Sequence, residues 1–244
     1  MSRIKITLSY DGSTFNGFQI QNNKQRVTTI AGVLTKALKK LNIKTNIVGS
    51  GRTDTGVHAS AQVIHCIIPE FWSDLKKLQD ELNRLITPNI YIKKIELENE
   101  DFHARFSAKK RLYRYALYHG EYQPFLSNYA LHVENIETQK LNNILKQFVG
   151  VHDFKNFKKQ GSDTNSDVRE IFKAGAYTYN GMTIIYFLGN SFLRSQIRMM
   201  SSFALEVMKD RLTCKELKEQ LDTQIKHSSS VIPSSGLYLC RIYY

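Results

Sequence analysis

The strongest constraint on this chain's fold is the way hydrophobic spacing changes along its first hundred residues. Ile4, Ile6, Leu8 and Tyr10 alternate with polar residues, which predicts a half-buried strand. Residues 11–27 read as a polar loop. Ile30, Val33, Leu34, Ala37, Leu38 and Leu41 then recur at helical spacing, with Thr28 or Thr29 as the cap. Two strands near 44–50 and 60–68 flank a glycine-rich loop. Leu75, Leu78, Leu82 and Leu85 mark a helix capped by Ser73 and stopped by Thr87-Pro88-Asn89, and a strand over about 90–98 follows. The order β-α-β-β-α-β is ferredoxin-like.

The second half predicts a similar order without visible sequence identity to the first. A strand spans about 109–119, and Leu141, Ile144, Leu145 and Phe148 give a helix ended by Gly150. Strands at about 168–179 and 182–188 are joined by Asn180-Gly181, a strong two-residue hairpin turn. Leu193, Ile197, Met200, Ala204 and Val207 then share one helix face, leaving Arg194 and Arg198 on another. A short helix opens at Thr213, where Glu216 completes a capping box, and Gly236–Tyr244 reads as a last strand. The expected fold class is therefore α+β, with two ferredoxin-like units at 1–105 and 106–244 and the helix at 213–225 as an insertion. The loop at 158–167 has the most mobile composition.

Composition narrows the function classes. With 34 Lys+Arg against 22 Asp+Glu the formal charge is +12, which attracts a polyanion and makes its binding salt-sensitive. No apolar run approaches the roughly 18 residues of a membrane span, so no membrane partner is expected. Met1-Ser2-Arg3 leads directly into the first strand without signal-peptide features, and Cys66, Cys214 and Cys240 form no Cys-x-x-Cys pair. A reducing cytoplasm is the expected compartment. His58, His65, His103 and His152 lack metal-ligand spacing, so metal is not expected; His103, in a strand-like Phe-His-Ala-Arg-Phe run, reads as structural.

The chemistry concentrates in Gly49-Ser50-Gly51-Arg52-Thr53-Asp54-Thr55-Gly56-Val57-His58-Ala59. A dinucleotide loop would need glycine where Asp54 stands, and a carboxylate there repels a pyrophosphate. A P-loop would need Gly-Lys-Ser/Thr before a helix. A plain surface turn remains open on glycine content alone. Arg52 and Asp54 inside the glycines make the other case, a carboxylate kept charged in a loop that admits a ligand.

These eleven residues resemble the signature loop of the transfer RNA pseudouridine synthase A family. The likeness continues through Tyr10-Asp11-Gly12 with Phe15, Gly17, Phe18, Gln19 and Gln21, through Asp101–Ala108, and through Arg111-Leu112-Tyr113-Arg114-Tyr115. It extends to His152-Asp153-Phe154 with Phe157, Phe192-Leu193 with Ile197–Met200, and Pro233 with Gly236–Leu239. The resemblance implies that two mainly antiparallel sheets join with helices on one side, and that an active-site cleft lies between the halves. It implies Asp54 as nucleophile, Tyr113 stacked on the target base, and Arg198 paired with the catalytic carboxylate. Arg52 would help turn out the target nucleotide, and Leu237 would pack beneath the base. Lys109, Lys110, Arg111, Arg114 and Arg194 are candidate phosphate contacts.

The implied reaction breaks the N1–C1′ bond of uridine, rotates the base and joins C5 to C1′. Because this is an isomerisation, neither a redox cofactor nor any small-molecule cofactor is needed. Asp54 would act by covalent catalysis or by removing a sugar proton to give a glycal-like intermediate. The family's partner is transfer RNA, its targets lie on the 3′ side of the anticodon stem-loop (positions 38–40), and its members are homodimers. Two rivals stand beside it: a catalytically silent tRNA-binding or RNA-chaperone relative, and a nucleoside hydrolase that releases free base. Thr55 and Ser50 stand where alanine is frequent in the family, and Met199–Met208 lacks its usual glycines, so helix packing is expected to differ there.

Overall fold

A computed structural model describes residues 1–21, 27–161 and 165–244. Residues 22–26 of the expected polar loop and 162–164 of the 158–167 loop lie outside the described residues. The chain forms two compact units: Met1–Lys109 with Tyr238–Tyr244, and Lys110–Leu237.

The first unit begins with β1 (Ser2–Tyr10), whose burial alternates as its sequence does: Ile4, Ile6, Leu8 and Tyr10 point into the core. In α1 (Ile30–Lys40), Thr29 caps the first turn by accepting from the Gly32 N–H at 3.2 Å, and Ile30, Leu34, Ala37 and Leu38 are buried. The strand expected over 44–50 shortens to β2 (Val48–Gly49). Thr45 meets the next strand through its side chain instead, its Oγ1 accepting from Ile67 N at 3.1 Å. After β3 (His58–Ile68) comes α2 (Leu75–Ile86), capped by Asp74 rather than Ser73. Ser73 has helical backbone angles and cannot serve, whereas Asp74 is extended and its carboxylate accepts from Lys77 N at 2.9 Å.

With β4 (Ile90–Glu98), the sheet runs β4-β1-β3, all antiparallel, and Ile6 sits opposite both Ile95 and Ile64. The free edge of β3 is shared. β2 pairs with its Ile64–His65 stretch, and the C-terminal strand (Leu237–Tyr243) runs parallel to it with Tyr238 opposite His58.

The second unit contains β5 (Lys110–Tyr118), β6 (Leu131–His132), α3 (Thr138–Leu145), β7 (Gly150–Asp153), β8 (Val168–Tyr179), β9 (Met182–Gly189), α4 (Gln196–Met208) and α5 (Cys214–Leu221). Its sheet runs β5-β9-β8-β7, antiparallel throughout, with β6 added parallel to β5. The turn between β8 and β9 has Asn180 at φ 47° and Gly181 at φ 74°, the left-handed pair that a tight hairpin requires. Beyond the stretch of β8 that pairs with β7, the Asn142 amide of α3 meets the strand's edge, donating to Ala176 O at 2.8 Å and accepting from Ala176 N at 2.7 Å. Thr213 and Glu216 form the expected capping box at α5.

One helix starts later than its spacing predicts. Ser195 adopts φ 59°, and Gln196 turns its Oε1 back to accept from Leu193 N at 2.7 Å, so α4 opens only at Gln196. Arg194 therefore precedes the helix and shares no helix face with Arg198. Met199, Met200, Ser201, Ser202 and Phe203 are all buried, so most of the helix circumference is core. Phe203 tilts against Phe157 (centroids 5.9 Å apart), which meets Phe148 edge-on at 5.5 Å. Among the described residues no helix is long and apolar enough to cross a membrane.

Candidate active site

The glycine-rich loop leaves β2 and re-enters the sheet at His58. Thr53 and Val57 are buried while Arg52 is exposed and Asp54 half-buried, so each charged residue stands out from the turn next to a buried Thr53. Val57 N donates to Asp54 O at 3.2 Å, closing a turn in which Gly56 takes φ 78°. This is a carboxylate displayed on a tight, anchored turn rather than on a free surface loop.

The anchoring comes from a buried polar network. Ser50 N donates to Val63 O at 2.8 Å, and Ser50 Oγ donates to Gln62 Oε1 at 2.6 Å. Gln62 Nε2 donates to Gly51 O at 3.0 Å and to Tyr10 Oη at 3.4 Å, while Tyr10 Oη and Thr53 Oγ1 share a hydrogen bond of 2.8 Å. Hydrophobic spacing does not single out Gln62. Its only signal was a polar residue within the β3 run before Val63, Ile64 and Cys66.

Part of the segment read as a polar loop lies beneath the turn. Phe15 and Phe18 are buried, and Phe18 N donates to Thr53 O at 3.1 Å. Gly17 has φ 86°, and a Cβ there would lie 2.8 Å from Thr53 O, so only glycine fits against the Asp54 turn. His58 is buried with Nδ1 accepting from Gly12 N at 3.0 Å and its ring stacked on Tyr238 at 4.7 Å. It serves the backbone, as does His65, whose Nδ1 accepts from Ala104 N at 3.0 Å. His103 lies in a turn, not a strand; its Nδ1 accepts from the N–H groups of Arg105 and Phe106 at 3.2 Å each.

The remaining candidates belong to the second unit. Tyr113 on β5 is buried and meets Phe192 edge-on at 5.3 Å. Arg198, in the first turn of α4, donates from Nε to Ile232 O at 2.8 Å, and the neighbouring Pro233 O accepts from Tyr115 Oη at 2.7 Å. The 232–233 backbone is thus held from two sides, just ahead of the buried Leu237. Burial pushes the Tyr115 phenol well above its usual range, and the Arg198 charge opposes that rise.

The proposed phosphate contacts divide. Arg111 is only 8% exposed and donates to Asn190 O at 2.6 Å, so its guanidinium is committed to internal structure. It falls on the inward phase of β5, which spacing alone could have shown. Lys109, Lys110, Arg114 and Arg194 are exposed. Lys110 lies over the Phe172 ring at 4.9 Å and Arg114 over Tyr177 at 5.9 Å, while Arg194 Nη1 donates to Gln160 O at 3.3 Å.

A family model described as tRNA pseudouridine synthase matches residues 6–107 and 144–244. These segments contain Arg52, Asp54, Arg198 and Leu237 and leave Tyr113 outside. A protein of Campylobacter jejuni named tRNA pseudouridine synthase A is 41% identical over 244 residues, covering 100% of both chains. Proteins of the same name from Helicobacter hepaticus and Limosilactobacillus reuteri are each 37% identical, covering 100% of this chain and 100% and 97% of their own lengths. Since similarity runs from end to end and through the Asp54 loop, this chain belongs to the tRNA pseudouridine synthase family.

Proposed function

We propose that this chain isomerises uridine to pseudouridine in transfer RNA, with Asp54 as the nucleophile. The observation that carries the reading is the family likeness across the whole chain together with a half-buried Asp54 on a turn anchored from below. In the covalent route the carboxylate adds to C1′ as the N1–C1′ bond breaks and the uracil leaves with the bonding pair. After the base rotates, C5 attacks C1′ and displaces the carboxylate; C5 then loses its proton and N1 gains one. Nothing is oxidised or reduced, and no group is lost.

Arg52, exposed beside Asp54, is assigned to the vacated stack when the nucleotide turns out, a movement that costs a few kcal/mol. Tyr113 is assigned to stack on the extruded base and Leu237 to pack beneath it. Arg198 is assigned to hold the carboxylate ionised. Lys109, Lys110, Arg114 and Arg194 are assigned to phosphate, in keeping with the +12 charge. The target is the 3′ side of the anticodon stem-loop, and the working form is a cytoplasmic homodimer in which one RNA touches both subunits.

Asp54→Asn tests the reading against unmodified transfer RNA, with pseudouridine scored by carbodiimide-dependent primer stops. Product should vanish while RNA affinity stays within about twofold. Turnover near wild type would overturn the assignment. Wild-type protein that binds RNA without forming product would instead identify a silent relative, and free uracil a hydrolase.

A further inference from the structure

Gln62 is wholly buried, yet it is an amide where an aliphatic side chain would fill the same space. A buried amide without partners costs about 1–3 kcal/mol, and this one has them. Its Nε2 donates to Gly51 O and Tyr10 Oη, and its Oε1 accepts from Ser50 Oγ and from Val63 N at 3.1 Å. Through Tyr10 the network continues to Thr53 Oγ1. Ser50, Gly51 and Thr53 are thus tied to β1 and β3 on both sides of Arg52, immediately before Asp54. Ser50 is 1% exposed and Thr53 7%, so water does not compete for these bonds.

We infer that Gln62, acting with Tyr10, is a positioning residue for the reaction, fixing the Ser50–Thr53 backbone so that the Asp54 carboxylate is presented to C1′ of the turned-out uridine. This rests on the reading of Asp54 as nucleophile. An apolar side chain at 62 fills the volume but leaves Gly51 O and Ser50 Oγ without the amide. The turn can then relax by a fraction of an ångström, and small misplacements of a reacting group cost up to about a hundredfold in rate. None of these four side chains needs to touch RNA.

The test uses the full chain with Gln62→Met, Tyr10→Phe, Thr53→Val and Thr53→Ser, measuring kcat, KM and Kd for unmodified transfer RNA alongside thermal stability. For Gln62→Met and Tyr10→Phe, kcat should fall roughly 10- to 100-fold while KM and Kd stay within about twofold. Thr53→Ser, which keeps the hydroxyl, should recover most of the kcat that Thr53→Val loses. Undiminished kcat in Gln62→Met and Tyr10→Phe would overturn the inference, as would equal kcat in the two Thr53 variants. Should Gln62→Met fail to fold, Tyr10→Phe and the Thr53 pair decide by the same criteria. Asp54→Asn measured in parallel separates the two claims. Activity in Asp54→Asn removes the nucleophile reading, whereas an inactive Asp54→Asn beside fully active network variants removes only the positioning role.

Discussion

His65 makes this protein's stability depend on pH in a way that one substitution should remove. The imidazole is 7% exposed, and its Nδ1 lone pair already accepts the Ala104 N–H at 3.0 Å, so a proton there must displace a hydrogen bond. Burial is the largest influence on it, followed by the nearby His103 ring and the Arg3 guanidinium; together they pull its pKa from 6.5 to about 4. The unfolded chain therefore takes up this proton near pH 6.5 and the native chain only near pH 4. Between those values the unfolded state binds more protons, so stability is complete above the upper value and is lost as pH falls towards the lower one. At about 1.4 kcal/mol per pKa unit the full effect is about 3 kcal/mol, of which about 2 kcal/mol falls between pH 7 and pH 5. Urea unfolding across that range, on wild type and on His65→Asn, would measure it. The asparagine oxygen can replace Nδ1 as acceptor but does not titrate, so the variant should lose about 2 kcal/mol less than wild type on acidification. Parallel stability curves for the two proteins would refute the reasoning.

Two further outcomes follow from single contacts. Asn142→Leu should destabilise the second unit by about 1–3 kcal/mol, because the buried Ala176 N–H and C=O both lose their partner; denaturant titration reads this, and a loss below about 0.5 kcal/mol would contradict it. Gly17→Ala should cost about 1–2 kcal/mol for the left-handed backbone and lower kcat at least about tenfold, since its Cβ would lie 2.8 Å from Thr53 O and 3.4 Å from Asp54 C. Thermal unfolding and pseudouridine assays separate the two effects, and an undisturbed kcat would show that the Asp54 turn tolerates the displacement.

The features written in the sequence are those whose cause is local. Alternation in Ile4–Tyr10, the Asn180-Gly181 turn and the Thr213–Glu216 box each depend on neighbours within a few residues, and each appears where spacing placed it. The Asp54 loop was recognisable because glycine, arginine and carboxylate fall in one short run. Elsewhere the deciding partner lay far along the chain. β6 and β7 are two and four residues long and exist only because β5 and β8 offer them edges. Ser195 begins α4 late through a backbone angle that hydrophobic spacing does not encode. Packing of the C-terminal strand with the first unit, burial of Phe15 and Phe18 beneath the Asp54 turn, and the Gln62 amide between Ser50 and Tyr10 all join residues distant in sequence. Periodicity reports which face of an element is apolar. Only tertiary structure decides which distant polar atom answers a buried one, because that pairing is a matter of proximity in space.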